Sequence, residues 1–281
     1  MKYLVLGSSG QIGSALVEYL DGFGHEVLQF DIAYNTEEDL RISGRVDRVM
    51  READFVFFLA FDVGGSSYLK TYQHTFPFID NNVRLVQVTF DALRRYNKPF
   101  IFASSQMSNM SFSSYGTMKS VGEFYTRTLN GLVVKFWNVY GIERDENKTH
   151  VITDFVKMAL DKGKIQMRTD GEEERQFLYA RDCSEALLIL ANNYKNIPRD
   201  KDLHITTFKW LKIVDIAHTI AKLCGSVPVI VGKDKDTVQQ GMRNEPNPFI
   251  LSLWKPTTEI EQGLVEIIKY YEGNRHGYKQ G

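Results

Sequence analysis

Tyr115 and Lys119 stand four residues apart in the helix-prone stretch Ser114-Tyr115-Gly116-Thr117-Met118-Lys119, so their side chains share one helix face. A phenol with a pKa of about 10 is a poor base at neutral pH. A nearby ammonium stabilises the phenolate and lowers that value, which equips the pair to exchange a proton with a hydroxyl group. Ser105, at the end of the preceding apolar run, offers a hydroxyl that donates to or relays from the same substrate oxygen, and Ser104 is the neighbouring alternative. The same spacing also occurs on solvated helix faces, so the reading depends on what the chain places beside it.

The second chemical segment is Gly7-Ser8-Ser9-Gly10-Gln11-Ile12-Gly13. It follows the β-prone run Lys2-Tyr3-Leu4-Val5-Leu6 and precedes Ser14-Ala15-Leu16-Val17-Glu18-Tyr19-Leu20, which has helical apolar spacing. Strand, glycine turn and helix in that order hold a dinucleotide: glycines let the backbone approach a pyrophosphate, and the helix N-terminus supplies N–H donors and partial positive charge. Gly7, Gly10, Gln11, Ile12 and Gly13 are therefore cofactor-binding candidates. Asp31 ends the second strand, placed to accept hydrogen bonds from the adenosine ribose and to repel a 2′-phosphate, which favours NAD over NADP. With NAD beside the helix, Lys119 would hydrogen-bond the nicotinamide ribose, and the positive nicotinamide ring would add to the stabilisation of a Tyr115 phenolate.

The glycine spacing is G-x-x-G-x-x-G, and with the segments that follow it resembles the extended short-chain dehydrogenase/reductase superfamily, in its branch of NAD-dependent nucleotide-sugar epimerases, dehydratases and 4-keto reductases. Phe58-Leu59-Ala60 resembles the family's "HLAA" segment, Asn82 its helix-entry asparagine, and Tyr115 with Lys119 its Y-x-x-x-K. Phe136-Trp137-Asn138-Val139-Tyr140-Gly141 is similar to "R-x-x-N-V-Y-G", and Arg175 through Asp182 to "R-D-F-x-x-V-x-D". Trp254-Lys255-Pro256 and Glu261-Gln262-Gly263-Leu264 resemble the C-terminal "G-W-x-P … E-G-L". The resemblance implies NAD as cofactor with Leu59 and Ala60 beside it, a nucleotide-sugar substrate touched by Asn138, and a substrate diphosphate bound by Arg175, with Arg243 as a second such arginine. It also implies a homodimer through helices at 80–96 and 116–130, with Phe90, Leu93, Tyr125 and Leu129 as contact candidates. Asp62-Val63-Gly64-Gly65 resembles a variant found in GDP-sugar members.

Two departures narrow the chemistry. Tyr115 comes only ten residues after Ser105, where the family carries some two dozen, so the site is expected to be more open than usual. Where dehydratases place an Asp-Glu pair this chain has Gln106-Met107, and the cysteine acid/base of the 3,5-epimerase is absent at Met107. What remains is hydride exchange at C4 of a nucleotide-linked hexose, by a 4-epimerase or a 4-keto reductase. The alternatives are a dehydratase of the same family, or a protein that binds NAD and a nucleotide sugar without turnover.

Bulk properties agree with an enzyme of small molecules. The 281 residues are 43% hydrophobic, enough for a substantial core, and a net charge of −1 leaves no electrostatic footprint for nucleic acid or an anionic membrane. Cys183 and Cys224 form no C-x-x-C, and the 6 histidines form no metal-ligand pair, so no metal is expected. A first strand beginning at residue 2 leaves no room for a signal peptide, and no apolar run nears the ~20 residues of a membrane span; the expected compartment is cytoplasmic.

Strand patterns at 2–6, 26–30, 54–60, 99–104 and 132–137 alternate with helical patterns near 11–21, 44–52, 80–96 and 116–130. This predicts an α/β fold: a Rossmann-type, doubly wound parallel sheet with a smaller, mixed C-terminal substrate-binding part. Residues 1–141 form the expected NAD-binding domain and 142–281 mainly the substrate part, with about 176–194 returning to the Rossmann core. Further helices are expected near 150–161, 183–194, 211–223 and 259–271, and strands at 164–167 and 203–205. The serine-rich stretch 105–114 reads as a loop over the site.

Overall fold

The computed structural model describes residues 1–239 and 242–277. Its first half runs β1 (Lys2–Leu6), α1 (Gln11–Gly22), β2 (Glu26–Phe30), α2 (Asp47–Glu52), β3 (Phe55–Phe58), α3 (Ser66–Tyr72), α4 (Phe76–Tyr96), β4 (Phe100–Ser105), α5 (Ser114–Thr128) and β5 (Leu132–Phe136). There follow β6 (Asn138–Tyr140), α6 (Val151–Lys162), β7 (Ile165–Gln166), β8 (Glu174–Arg175), β9 (Phe177–Tyr179), α7 (Ala180–Asn192), β10 (Leu203–Ile205), β11 (Leu211–Lys212), α8 (Ile213–Leu223), β12 (Val229–Ile230) and α9 (Ile260–Gly277).

The central strands are apolar at nearly every position because both faces of the sheet are covered. Tyr3, Val5, Phe55, Phe57, Ile101 and Ala103 enter one core with α1 and α7, while Leu4, Leu6, Val56, Phe58, Phe100 and Phe102 enter another with α4. Alternation of side chains along each strand thus divides one apolar run between two layers of helices. The sheet has six strands in the order β10-β5-β4-β3-β1-β2, all pairs parallel. The chain moves outward from β1 to β2 and then returns to the other side of β1 as β3. Strand order reverses there, opening a crevice at the carboxyl ends of β1 and β3.

Several elements differ from the sequence-based expectation. Helix α3 follows the Gly64-Gly65 pair and was not anticipated; α4 starts at Phe76 rather than 80, with Pro77 in its first turn, where no N–H partner is lost. Helix α5 starts at Ser114 because the Ser113 hydroxyl accepts from Gly116 N at 3.1 Å and caps it. The serine-rich stretch is not a bare loop. It contains a 3₁₀ turn at Gln106–Asn109 and buries Met107 and Met110 in a cluster with Leu69, Phe78 and Val238. Val238, and Phe78 at the start of α4, thus pack against the shortened segment.

Beyond β5, three two-stranded sheets (β6 with β9, β7 with β12, β8 with β11) and helices α6, α8 and α9 surround a separate core containing Phe155, Ile216 and Ile267. Helix α7 packs on α1 in the main core, which also takes in β10 at the sheet edge and Ile250 and Trp254. These last segments join the Rossmann core in addition to the 176–194 stretch. Two of the expected dimer-contact residues do not reach the surface: Phe90 and Leu93, each 1% exposed, face the sheet, and Leu129 is half-buried against the same core. The 3.6-residue period was read correctly but its apolar stripe points inward; Tyr125 alone of the four is exposed, its ring stacked on Phe90.

Candidate active site

A cavity of about 910 Å³ opens at the crevice between β1 and β3 and collects residues from the segments that follow β1, β2, β3, β4 and β5. On its floor lies the glycine turn, whose three glycines have different physical reasons. Gly7 has φ +85°, and a Cβ there would stand 2.7 Å from the Ala60 backbone. A Cβ on Gly13 would stand 2.0 Å from Gly7 O, so α1 could not approach the turn. At Gly10 the nearest heavy atom to an added Cβ is Gly7 O at 3.4 Å, an ordinary contact. The fold itself does not demand a glycine at that position. Gly10 caps α1 with no side-chain hydrogen bond, and the helix has no acid in its first turn, so its leading N–H groups are free for phosphate oxygens.

Asp31 follows β2, and its carboxylate accepts from Ser9 N and Ala33 N, both at 2.9 Å, which ties the second strand end to the glycine turn. Leu59 and Ala60 border the cavity from the end of β3, and Ile12 from α1. The Gln11 amide, oriented to donate to Val139 O at 3.1 Å and accept from Gly141 N at 3.0 Å, ties α1 to β6. These features fit a dinucleotide: open space over Gly10, free N–H donors and a carboxylate at the second strand end. Sequence reasoning missed the rest of the cavity wall beside Asp31. Asp39, Leu40 and Arg41 line it, with Arg41 bonding Asp39 through Nε at 2.9 Å and Nη2 at 2.8 Å. An acid and an arginine two residues apart, soon after a strand-end acid, was the available signal.

Ser105, Tyr115 and Lys119 are brought together on the opposite wall. Ser105 Oγ accepts from Met107 N at 3.1 Å and fixes the turn after β4. Ser104, one residue earlier on the strand, also lines the cavity, and its hydroxyl donates to Glu123 Oε1 at 2.6 Å. Lys119 Nζ donates to Ala103 O at 2.6 Å. Its ammonium lies 3.7 Å from the Phe61 ring centre and 5.8 Å from that of Tyr115.

Burial pushes the Tyr115 phenol up to about 12, with the Ser105 hydroxyl pulling the other way. Burial pulls Lys119 down to about 7, opposed by the Glu123 charge. The expected lowering of Tyr115 by Lys119 is therefore not present in the protein alone. Burial makes desolvation the dominant effect on both groups, and the ammonium is directed at Ala103 O and Phe61.

On the substrate side, Asn138 reaches the cavity wall while its backbone N and Nδ2 donate to Gln176 O at 3.2 and 3.3 Å. The two arginines stand apart from the cavity. Arg175 is ion-paired to Asp236 and donates to Glu174 O at 2.6 Å. Arg243, partly exposed, lies over Trp210 and bonds Glu174 Oε2 at 2.6 Å and Glu245 Oε1 at 3.0 Å. Another feature lay beyond sequence reasoning. The segment after β6 crosses the crevice, with Arg144 Nη1 donating to Tyr34 Oη at 2.8 Å and Lys148 Nζ to Asp62 Oδ1 at 2.9 Å, where Tyr68 also donates at 2.7 Å.

This fold, with a glycine turn at the switch point and a serine, tyrosine and lysine across from it, is that of a dinucleotide-binding α/β protein. The chain belongs to the NAD-dependent epimerase/dehydratase family, whose model matches residues 3–206, and NAD is the cofactor. Among curated relatives it is 25% identical over 325 aligned positions to a UDP-N-acetyl-alpha-D-glucosaminuronate decarboxylase of Bacillus cytotoxicus, covering 96% of this chain and 97% of that protein. It is 27% identical to a GDP-L-fucose synthase of Sinorhizobium fredii over 49% of this chain, a match that spans 45% of that protein's length. Among solved structures it superimposes on UDP-glucose 4-epimerase of Thermotoga maritima with TM-score 0.81 and 20% identity, covering 98% and 100% of the two chains. It superimposes on a GDP-6-OMe-4-keto-L-xylo-heptose reductase of C. jejuni with TM-score 0.83 and 18% identity, covering 97% and 98%. At these identities the superpositions speak for the fold alone.

Proposed function

We propose that this protein transfers hydride at C4 of a nucleotide-linked hexose, as a 4-epimerase or a 4-keto reductase. The observation that carries the reading is the convergence of Ser105, Tyr115 and Lys119 on one cavity with the glycine turn and Asp31, while Gln106 and Met107 stand where dehydration would need carboxyl groups. NAD, when bound, accepts or supplies the hydride. Tyr115 moves the proton of the C4 oxygen: held neutral at pH 7 by burial, it is ready to donate when a ketone is reduced. In the oxidative direction the phenolate gains stabilisation from Lys119 and from the positive charge of the oxidised nicotinamide. Ser105 orients the C4 oxygen toward Tyr115, Lys119 holds the nicotinamide ribose, and Asn138 contacts the sugar or its phosphate. Gly7, Gly10, Gln11, Ile12 and Gly13 seat the pyrophosphate, Asp31 takes the adenosine ribose, and Leu59 and Ala60 flank the nicotinamide half.

For Arg175 and Arg243 to bind a diphosphate, phosphate oxygens must replace the Asp236 and Glu174 carboxylates that now pair with them. A screen of nucleotide sugars by thermal shift, with and without NAD, identifies the substrate because a ligand bound only to the native state raises its melting temperature. The hit is then incubated with NAD or NADH and the product read by NMR. A C4 epimer or a 4-hydroxy product from a 4-keto sugar supports the assignment; a 4-keto-6-deoxy product overturns it in favour of dehydration.

A further inference from the structure

We propose that Glu123 is a positioning residue of the site: its buried carboxylate, one helical turn beyond Lys119 and held by Ser104, favours the charged form of the Lys119 side chain in its apolar seat. This rests on the assignment of Lys119 to the cofactor ribose.

The surroundings of Lys119 make a counter-charge necessary. Lys119 is 3% exposed. From β4 it meets the Ala103 carbonyl at 2.6 Å and the Phe102 ring at 5.3 Å; from the segment after β3 it meets the Phe61 ring, and from its own helix Tyr115. None of these carries a full negative charge, and an unpaired buried ammonium is driven toward its neutral form. Among the described residues Glu123 is the charged group that opposes that drive, and with it in place Lys119 is drawn down to about 7.

Glu123 is itself 5% exposed and built into the site. Oε1 accepts from Ser104 at 2.6 Å, and Oε2 faces Arg127 at 3.2 Å and Lys135 at 3.6 Å. Those two outer cations also share Asp202, at 3.7 and 3.6 Å. They have a second partner that Lys119 lacks. Because Ser104 and Ser105 are consecutive on β4, the strand end that presents one hydroxyl to the substrate uses the other to hold the carboxylate.

A protonated Lys119 donates to the ribose hydroxyls, so NADH affinity should be highest below the Lys119 pKa and fall as pH rises through it. The experiment measures NADH dissociation constants by fluorescence from pH 5.5 to 9 for the native protein and for Glu123→Gln, Glu123→Asp and Arg127→Ala, with melting temperatures recorded alongside. In Glu123→Gln the midpoint of the affinity loss should move down by about one pH unit. Glu123→Asp, which keeps the charge, should restore a midpoint near native, and Arg127→Ala, which removes a competing cation at the surface, should move it up. A native midpoint in Glu123→Gln, or equal shifts in Gln and Asp, overturns the proposal and leaves Glu123 a packing residue. If Glu123→Gln does not fold, Arg127→Ala decides: an upward shift supports the proposal and an unmoved midpoint overturns it. Failure of the native protein to bind NADH at all would instead sink the cofactor site on which the proposal stands.

Discussion

Lys119 Nζ lies 3.7 Å from the centre of the Phe61 ring, and Tyr115 meets the same ring edge-on at 5.7 Å, so one aromatic side chain touches both residues assigned to proton handling. The ring keeps water from the ammonium while offering its negative face, an attraction of about 0.5–2 kcal/mol that does not depend on a carboxylate.

The first prediction follows for the phenol. Tyr115→Phe leaves the ring packing on Phe61 and removes only the hydroxyl, so NADH should bind about as well as to the native protein. Turnover at C4 should fall by ~10²–10⁴, the usual worth of a positioned proton donor. Steady-state rates on the substrate found by the thermal-shift screen check this, and an unchanged rate would show that another group moves the proton.

The glycines should separate by phenotype. Gly10→Val should fold with a melting temperature near native and bind both NAD and NADP poorly, because the new side chain enters open space over the turn. Gly13→Ala should lose roughly 1–3 kcal/mol of stability, because its Cβ would stand 2.0 Å from Gly7 O. Asp31→Ala should narrow the preference of the native protein for NAD over NADP, read by titration of both. Equal native affinities for the two cofactors would remove Asp31 from the specificity argument.

The strap over the crevice has an acid limit. Burial alone would raise the Asp62 carboxyl, but the Lys148 ammonium and the Tyr68 hydroxyl outweigh it and hold Asp62 below its ordinary value. A depressed carboxylate contributes stability above its unfolded pKa of about 3.9 and loses it as pH falls through the folded one. Lys148→Ala should therefore lower the melting temperature by an amount that is constant from about pH 8 to 5 and shrinks below about pH 4. It should also speed NADH release about fivefold at neutral pH, the equivalent of about 1 kcal/mol. Stopped-flow release at the native rate would show that the strap does not retain the cofactor.

Assembly is predicted from a different set of residues than the helix pattern alone suggests. Phe76 and Val83 on α4 and Val121, Phe124 and Tyr125 on α5 are exposed, with Phe124 at 65%. Covering them with the same surface of a second copy gives a homodimer, and Phe124→Glu should convert it to monomer in sedimentation at micromolar concentration. A native protein that sediments as a monomer under those conditions refutes the dimer.

Much of the site was legible because it is local. A strand, three glycines and a helix are written in consecutive residues, and the turn geometry that needs Gly7 and Gly13 acts over a few ångströms. Tyr115 and Lys119 face one side because helix pitch alone places residues four apart together. The parallel sheet was legible from apolar runs too continuous for a half-exposed strand, alternating with helical patterns.

What only the tertiary structure decided depends on how those elements lie on one another. Alternation shows that Ser104 and Ser105 point their side chains in opposite directions, but which hydroxyl meets Glu123 is set by where α5 packs, and that is Ser104. The apolar stripe of α4 does not say whether Phe90 and Leu93 cover a sheet or a partner; the sheet took them, leaving Phe124 and Val121 of α5 outside. Lys148 reaches Asp62 across 86 positions of sequence, and Asp236 reaches Arg175 across 61, pairings that no periodicity encodes. Protonation is of the same kind. A tyrosine drawn up to about 12 and a lysine drawn down to about 7 reflect desolvation, and desolvation belongs to the packed molecule, because sequence names a titratable group while only its neighbours decide how much water it keeps.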